Sequence, residues 1–188
     1  MISNLKNNSK KDLNKMLILD RDGTIIENVP YLSDPSKIKF MSGVISGLQL
    51  AGAHGFKFVI ASNQSGIGRN LITFKNVEAI NKKISRELKT KGIILDEYIY
   101  CPHLPIDNCN CRKPNNGMIE EIIKVKKCDR CYTFFIGDSL SDVEAASKSR
   151  IKSYLLNDSL NFVGKLPNNS FLISSFDEAI THIIKLST

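Results

Sequence analysis

The chain has 188 residues, of which 42% are hydrophobic, and carries a net charge of +7. That length fits one domain with a sizeable core, and no apolar run reaches the 18 residues that would suggest a membrane span. The lysines are spread along the chain and only 7% of residues are aromatic, so no nucleic-acid surface is expected, only a general attraction for small phosphorylated anions.

Residues 1–14 are polar and basic, without the apolar core of a secretion signal. They are expected to be a flexible tail on a single domain spanning 15–188, and the protein is expected to be a cytoplasmic monomer with no membrane partner. Met16-Leu17-Ile18-Leu19 is then a short apolar run closed by Asp20-Arg21-Asp22-Gly23-Thr24. It reads as a buried parallel strand whose carboxyl end delivers two acids to a crevice. Asp20 and Asp22 repel each other unless a cation joins them, which favours a hard divalent ion such as Mg2+. A carboxylate there can attack phosphorus while its neighbour protonates the leaving oxygen. The plainer alternative is an Asp that caps a turn before glycine.

Residues 25–42 show no clear period and contain Pro30 and Pro35, which suggests a loop or flap over the site. A helix is expected over 44–54 and a second buried strand over 56–61. That strand runs into Ser62-Asn63-Gln64-Ser65-Gly66-Ile67-Gly68-Arg69. A hydroxyl and an amide at the strand end, followed by glycines, offer side-chain and backbone donors to phosphate oxygens, and Arg69 could fork onto a second anionic group. A polar turn would look the same. A long amphipathic helix follows over 73–91, with Phe74, Val77, Ile80, Ile84 and Leu88 on its apolar face. A third strand is expected over 97–100.

Cys101, His103, Cys109 and Cys111 then fall within eleven positions. Three thiolates and one imidazole make the donor set of a closed structural Zn2+ site. Free thiols or a disulfide are the alternative. A loop stiffened in this way would present Arg112 and Lys113, the latter to neutralise a carboxylate nucleophile and a transferring phosphoryl group. Cys128 and Cys131 read as incidental thiols. They lie between a helix over 117–127 and a fourth strand over 132–136. That strand ends in Gly137-Asp138-Ser139, with Asp142 one helical turn on. If the first and fourth strands are neighbours, Asp138 and Asp20 converge on one ion. A fifth strand (153–156), a sixth (171–173) and a closing helix (176–186) complete a doubly wound, three-layer α/β sheet.

The four clusters occur in the order found in haloacid dehalogenase-like phosphohydrolases. Asp20-x-Asp22-Gly-Thr resembles the first motif of that superfamily, Ser62-Asn63 the second, Lys113 the third, and Gly137-Asp138-x3-Asp142 the fourth. The resemblance implies Asp20 as nucleophile, Asp22 as acid/base, and Ser62, Asn63 and Lys113 as phosphate ligands. It also implies Mg2+ held by Asp20, Asp138 and the backbone carbonyl of Asp22. The cysteine loop is similar to that of the branch holding D-glycero-D-manno-heptose 1,7-bisphosphate 7-phosphatases and histidinol-phosphate phosphatases, which lack a large cap domain. The segments 20–24, 62–69 and 114–118 look more like the heptose enzymes. The resemblance thus implies a 7-phosphatase for the heptose bisphosphate, with Gln64, Arg69 and Arg112 as substrate ligands. Histidinol phosphate is the alternative substrate, since the short spacing of the cysteine loop is closer to that type. Ser139 departs from the lysine often found there in heptose enzymes.

Overall fold

Met16–Leu19 is completely buried and forms β1. A strand without a polar face needs helices on both sides of its sheet, and the computed structural model, which describes residues 14–157 and 164–187, supplies them. Strands β2 (Lys57–Asn63), β3 (Leu95–Cys101), β4 (Thr133–Gly137), β5 (Lys152–Leu156) and β6 (Ser170–Ile173) join β1 in the order β3-β2-β1-β4-β5-β6. Every pairing is parallel.

Side chains along β1 alternate between two cores. Leu17 and Leu19 pack with α1 (Val44–Ala53), α2 (Phe74–Thr90) and α5 (Phe176–Ser187). Met16 and Ile18 pack with α3 (Gly117–Lys126) and α4 (Leu140–Lys148). This is the three-layer architecture that the strand and helix pattern implies. The chain builds β1, β2 and β3 outward, then crosses back to place β4 on the other side of β1. The strand order therefore reverses between β1 and β4, and a crevice opens at their carboxyl ends.

Element bounds shift for local reasons. β3 runs on to Cys101, which pairs with Asn63, so the first cysteine of the cluster is fixed by the sheet itself. β4 begins at Thr133 because Arg130–Tyr132 forms a 3-10 turn capped by the Asp129 side chain. Phe74 is 55% exposed and does not join the apolar face expected for α2. It is the first helical residue, just after the Thr73 cap, ahead of the turns that reach the sheet.

Residues 25–41 fold back as a small flap. Ile26 bridges Phe40 in antiparallel fashion, Glu27 N–H donates to the Lys39 carbonyl at 2.8 Å, and Met41 N–H donates to that of Ile25 at 2.9 Å. Buried Ile25, Ile26 and Leu32 anchor it. The expected tail lies outside the described residues except for Asn14, whose amide donates to the Lys126 carbonyl. Among the described residues no helix is long and apolar enough to cross a membrane.

Phe134 is fully buried and meets the Phe56 ring edge-on, centroids 5.9 Å apart. Phe134→Ala should cost about 3–5 kcal/mol through lost transfer energy and the cavity left behind, read from the shift of a urea unfolding midpoint.

Candidate active site

Leu19 and Ile136 are register partners on adjacent strands, and Asp20 N–H continues the ladder by donating to the Ile136 carbonyl at 2.9 Å. Asp20 and Asp138 therefore leave the sheet side by side. Gly23, in a left-handed conformation, lets the chain turn directly over Asp138; a Cβ at that position would collide with the Asp138 carboxylate. Carboxylate oxygens of Asp20, Asp138 and Asp142 lie within 4.8 Å of one another.

Lys113 reaches this cluster from the loop after β3. Its ammonium donates to Asp20 Oδ1 at 2.5 Å and to the Ala61 carbonyl at 2.7 Å, and pairs with Asp142 Oδ1 at 2.6 Å. Asn63 fixes its main chain from both sides, donating to the Lys113 carbonyl at 3.0 Å and accepting its N–H at 3.1 Å. The side chain of Asn63, expected as a phosphate ligand, thus holds the Lys113 main chain while the residue lines the cavity. Asp142 has a similar duty: its Oδ2 accepts from Ser139 N–H at 3.0 Å and from Ser139 Oγ at 2.8 Å, while Oδ1 holds Lys113.

The side chain of Asp22 is turned the other way. Arg21 Nε donates to Asp22 Oδ2 at 3.1 Å and Arg21 Nη2 to Oδ1 at 3.2 Å, while Gln64 Nε2 reaches Oδ2 at 2.8 Å. Gln64 also donates to Ser62 Oγ at 2.9 Å. Its Nε2 is engaged with Asp22 and Ser62, and the residue expected as a substrate ligand lines the cavity. Arg21 and its partner Asn81, both buried, have no counterpart in the sequence reading. The signal available was an asparagine within the apolar stripe of α2.

A cavity of about 410 Å3 opens above these groups, lined by Asp20, Asp22, Ser62, Asn63, Gln64, Lys113 and Asp138 and roofed by flap residues 28–32. The flap expected over the site is therefore present. Arg69 and Arg112 do not line this cavity. Arg69 is exposed on the loop after β2, and Arg112 donates to the His103 carbonyl at 3.3 Å.

The four residues of the cysteine loop converge as their spacing suggested. Cys101 and Cys111 sulfurs are 3.2 Å apart, Cys111 and Cys109 3.4 Å, and His103 Nδ1 is 3.3 Å from Cys111 Sγ. A disulfide needs sulfurs about 2.05 Å apart, and all five cysteines are free thiols. Tetrahedral Zn2+ with bonds of about 2.0–2.3 Å would set its ligands roughly 3.5–3.8 Å apart, so the quartet needs only a slight expansion to hold one. Burial pushes the Cys101 thiol well above its usual range, which leaves it protonated without a metal.

The carboxylate cluster fits a hard divalent cation by its charge. Asp20, Asp22, Asp138 and Asp142 face only Arg21 and Lys113 among the cavity residues, which leaves two negative charges to be neutralised. Burial pushes Asp20 up from 3.8 to about 7 against the pull of Lys113, with Asp142 and Asp22 adding to the rise. Burial and Asp142 likewise push Asp138 to about 6. Burial disfavours the Lys113 ammonium, but Asp142 and Asp20 more than offset it and keep it charged.

Without metal, the folded protein keeps these two acid protons at a pH where the unfolded chain has released them. Stability should therefore fall as pH rises from about 4 to about 7. Mg2+ must displace the same protons, so the rise in Tm caused by millimolar Mg2+ should be larger at pH 7.5 than at pH 5.5. Thermal scans with and without Mg2+ at the two pH values check this.

A profile of the polynucleotide kinase 3 phosphatase family matches residues 15–161. The probable D-glycero-D-manno-heptose-1,7-bisphosphate 7-phosphatase of Thermoplasma volcanium is 36% identical over 138 residues, covering 73% of this chain and 94% of that protein. The histidine biosynthesis bifunctional protein HisB of Legionella pneumophila is 38% identical over 137 residues, or 71% of this chain, and the match spans 39% of that longer protein. The D,D-heptose 1,7-bisphosphate phosphatase from B. bronchiseptica, solved with magnesium and phosphate, superimposes with a TM-score of 0.83 at 28% identity, covering 91% of this chain and 98% of that one. With its four motifs gathered at one sheet edge and this family matched over most of its length, the chain belongs to the polynucleotide kinase 3 phosphatase family of haloacid dehalogenase-like phosphatases.

Proposed function

We propose that the protein is a Mg2+-dependent phosphomonoesterase that removes the 7-phosphate of D-glycero-D-manno-heptose 1,7-bisphosphate. The observation that carries this reading is the Asp20 carboxylate, held at 2.5 Å by Lys113 at the floor of the cavity, beside Asp138. Two relatives matched over most of their own length are named as heptose bisphosphate phosphatases, one of them as probable.

Asp20 attacks phosphorus in line and forms an aspartyl-phosphate as the bond to the sugar oxygen breaks. Asp22 gives its proton to that oxygen, then takes one from the water that hydrolyses the intermediate. Lys113 and the Ser62 hydroxyl meet the charge that develops on the phosphoryl oxygens. Asp20, Asp138 and the Asp22 carbonyl would hold Mg2+, which would supply further positive charge against the developing phosphoryl charge. A cavity of about 410 Å3 suits a small phosphorylated substrate. Arg69 and Arg112, beyond its rim, are the cations available to a second phosphate extending out of it.

The relatives within HisB favour a second reading, histidinol phosphate. The family description raises a third, 3'-phosphorylated DNA ends, which the dispersed basic charge disfavours. The protein is read as a monomer acting in the cytoplasm, where reducing conditions keep its thiols free for metal, without nucleic-acid or membrane partners.

Phosphate release from the three substrates separates these readings: the heptose bisphosphate should have the highest kcat/KM, and faster turnover of histidinol phosphate or of a 3'-phosphorylated duplex would reverse the order. Asp20→Asn should lower kcat on every substrate by at least about 10^3-fold with an unchanged circular dichroism spectrum. Zn2+ is the proposed occupant of the Cys101, His103, Cys109 and Cys111 site. Metal analysis after dialysis should find about one Zn2+ per chain, and a zinc-free chain with an undiminished Tm would remove that assignment.

A further inference from the structure

The polar groups around Asp22 are unevenly distributed between its two oxygens. Oδ2 is approached by Arg21 Nε at 3.1 Å, Arg21 Nη2 at 3.0 Å and Gln64 Nε2 at 2.8 Å. Oδ1 meets a single donor, Arg21 Nη2 at 3.2 Å. Oδ2 thus accepts two hydrogen bonds, from Arg21 Nε and Gln64 Nε2, and lies in ion-pair range of Nη2, whereas Oδ1 accepts one. Oδ1 is therefore the Asp22 oxygen least engaged by the protein, in a residue that lines the cavity. The side chain of Asp22 is 20% exposed on the cavity side, while that of Arg21 is 1% exposed.

A buried guanidinium is costly unless its donors are met. Two sides of Arg21 face Asp22, and its remaining Nη1 donates at 3.0 Å to Oδ1 of Asn81, which is 2% exposed on α2. Asn81 lies in the stripe formed by Val77, Ile80 and Ile84, whose packing against the sheet fixes α2. The chain Asn81–Arg21–Asp22 thus ties the acid to the rigid part of the fold rather than to the flap.

We infer that Arg21, oriented by Asn81, is the positioning residue that turns Oδ1 of Asp22 toward the leaving oxygen of the substrate. The inference rests on the phosphomonoesterase reading and assigns Arg21 no contact with substrate. In the first half-reaction the bond from Asp20 to phosphorus forms, the bond from phosphorus to the substrate oxygen breaks, and the proton on Oδ1 passes to that oxygen.

Positioning of an acid matters in proportion to how poor the leaving group is. A sugar or other alkyl oxygen needs its proton as the bond breaks, whereas p-nitrophenolate leaves without one. The ratio kcat/KM reports only the steps up to formation of the aspartyl-phosphate, so the later use of Asp22 as a base does not enter it. The measurement is kcat/KM for Arg21→Lys, Asn81→Leu and Asn81→Asp on heptose bisphosphate, histidinol phosphate and p-nitrophenyl phosphate. Lysine keeps the charge but not the fork, and leucine removes the acceptor for Nη1. Both should lose about a hundredfold on whichever alkyl phosphate the wild type turns over, and less than about threefold on p-nitrophenyl phosphate. Aspartate keeps an acceptor at position 81 and should restore most of the loss. Equal losses on alkyl and aryl substrates in a folded variant would reduce Arg21 to a structural residue and overturn the inference, as would an unchanged alkyl rate. Should Arg21→Lys not fold, the Asn81 pair carries the same contrast. Failure of the phosphatase reading itself looks different: the wild type would then release phosphate from none of the three substrates.

Discussion

A single buried ammonium group holds the site together. Lys113 lies 93 residues from Asp20 in sequence, yet its Nζ sits between the carboxylates of Asp20 and Asp142 and against the Ala61 carbonyl. At 3% exposure it cannot satisfy its charge with water. Burial in a low-dielectric site raises the cost of every charge there, and the opposite charges offset it. The cation and the two acids each require the other two, and that requirement binds the third β-α connection to the edge of β1 and β4.

Such a clamp works only if the lysine is delivered with little freedom. Asn63, at the end of β2, grips the Lys113 main chain with both ends of its amide. On the other side stand the cysteines, the first of which ends β3. Gln64 N–H donates to the Cys101 carbonyl at 2.7 Å and Gly68 N–H to the Pro102 carbonyl at 3.1 Å, so the loop after β2 and the cysteine loop brace each other. The Cys101, His103, Cys109 and Cys111 quartet and the loop after β2 are therefore one mechanical unit, with Lys113 at its end.

The two aspartates of the first motif sit two residues apart and are placed in opposite electrostatic settings. Asp20 faces Lys113, Asp138 and Asp142 in the buried floor. Asp22 faces Arg21 and Gln64 at the wall of the cavity. One environment suits a nucleophile beside a metal, and the other an acid that must turn toward a leaving group. Two like residues acquire distinct duties from what surrounds them.

Much of this was legible in the residues themselves. A run such as Met16–Leu19 has no polar face, so its burial between two layers follows from local hydrophobicity. The acids after β1 and β4, and the spacing of Cys101, His103, Cys109 and Cys111, announce donor sets that the fold then brings together. Polar side chains with several possible partners could not be resolved in this way. Arg21 and Asn81 carry no local signal of their pairing, Asn63 reads as a phosphate ligand, and Gln64, Arg69 and Arg112 read as substrate ligands. Their actual contacts depend on which groups the packed sheet, flap and cysteine loop remove from water and bring within 3 Å. Hydrophobic burial is decided residue by residue along the chain, whereas a hydrogen-bond partner is chosen only once distant segments have met.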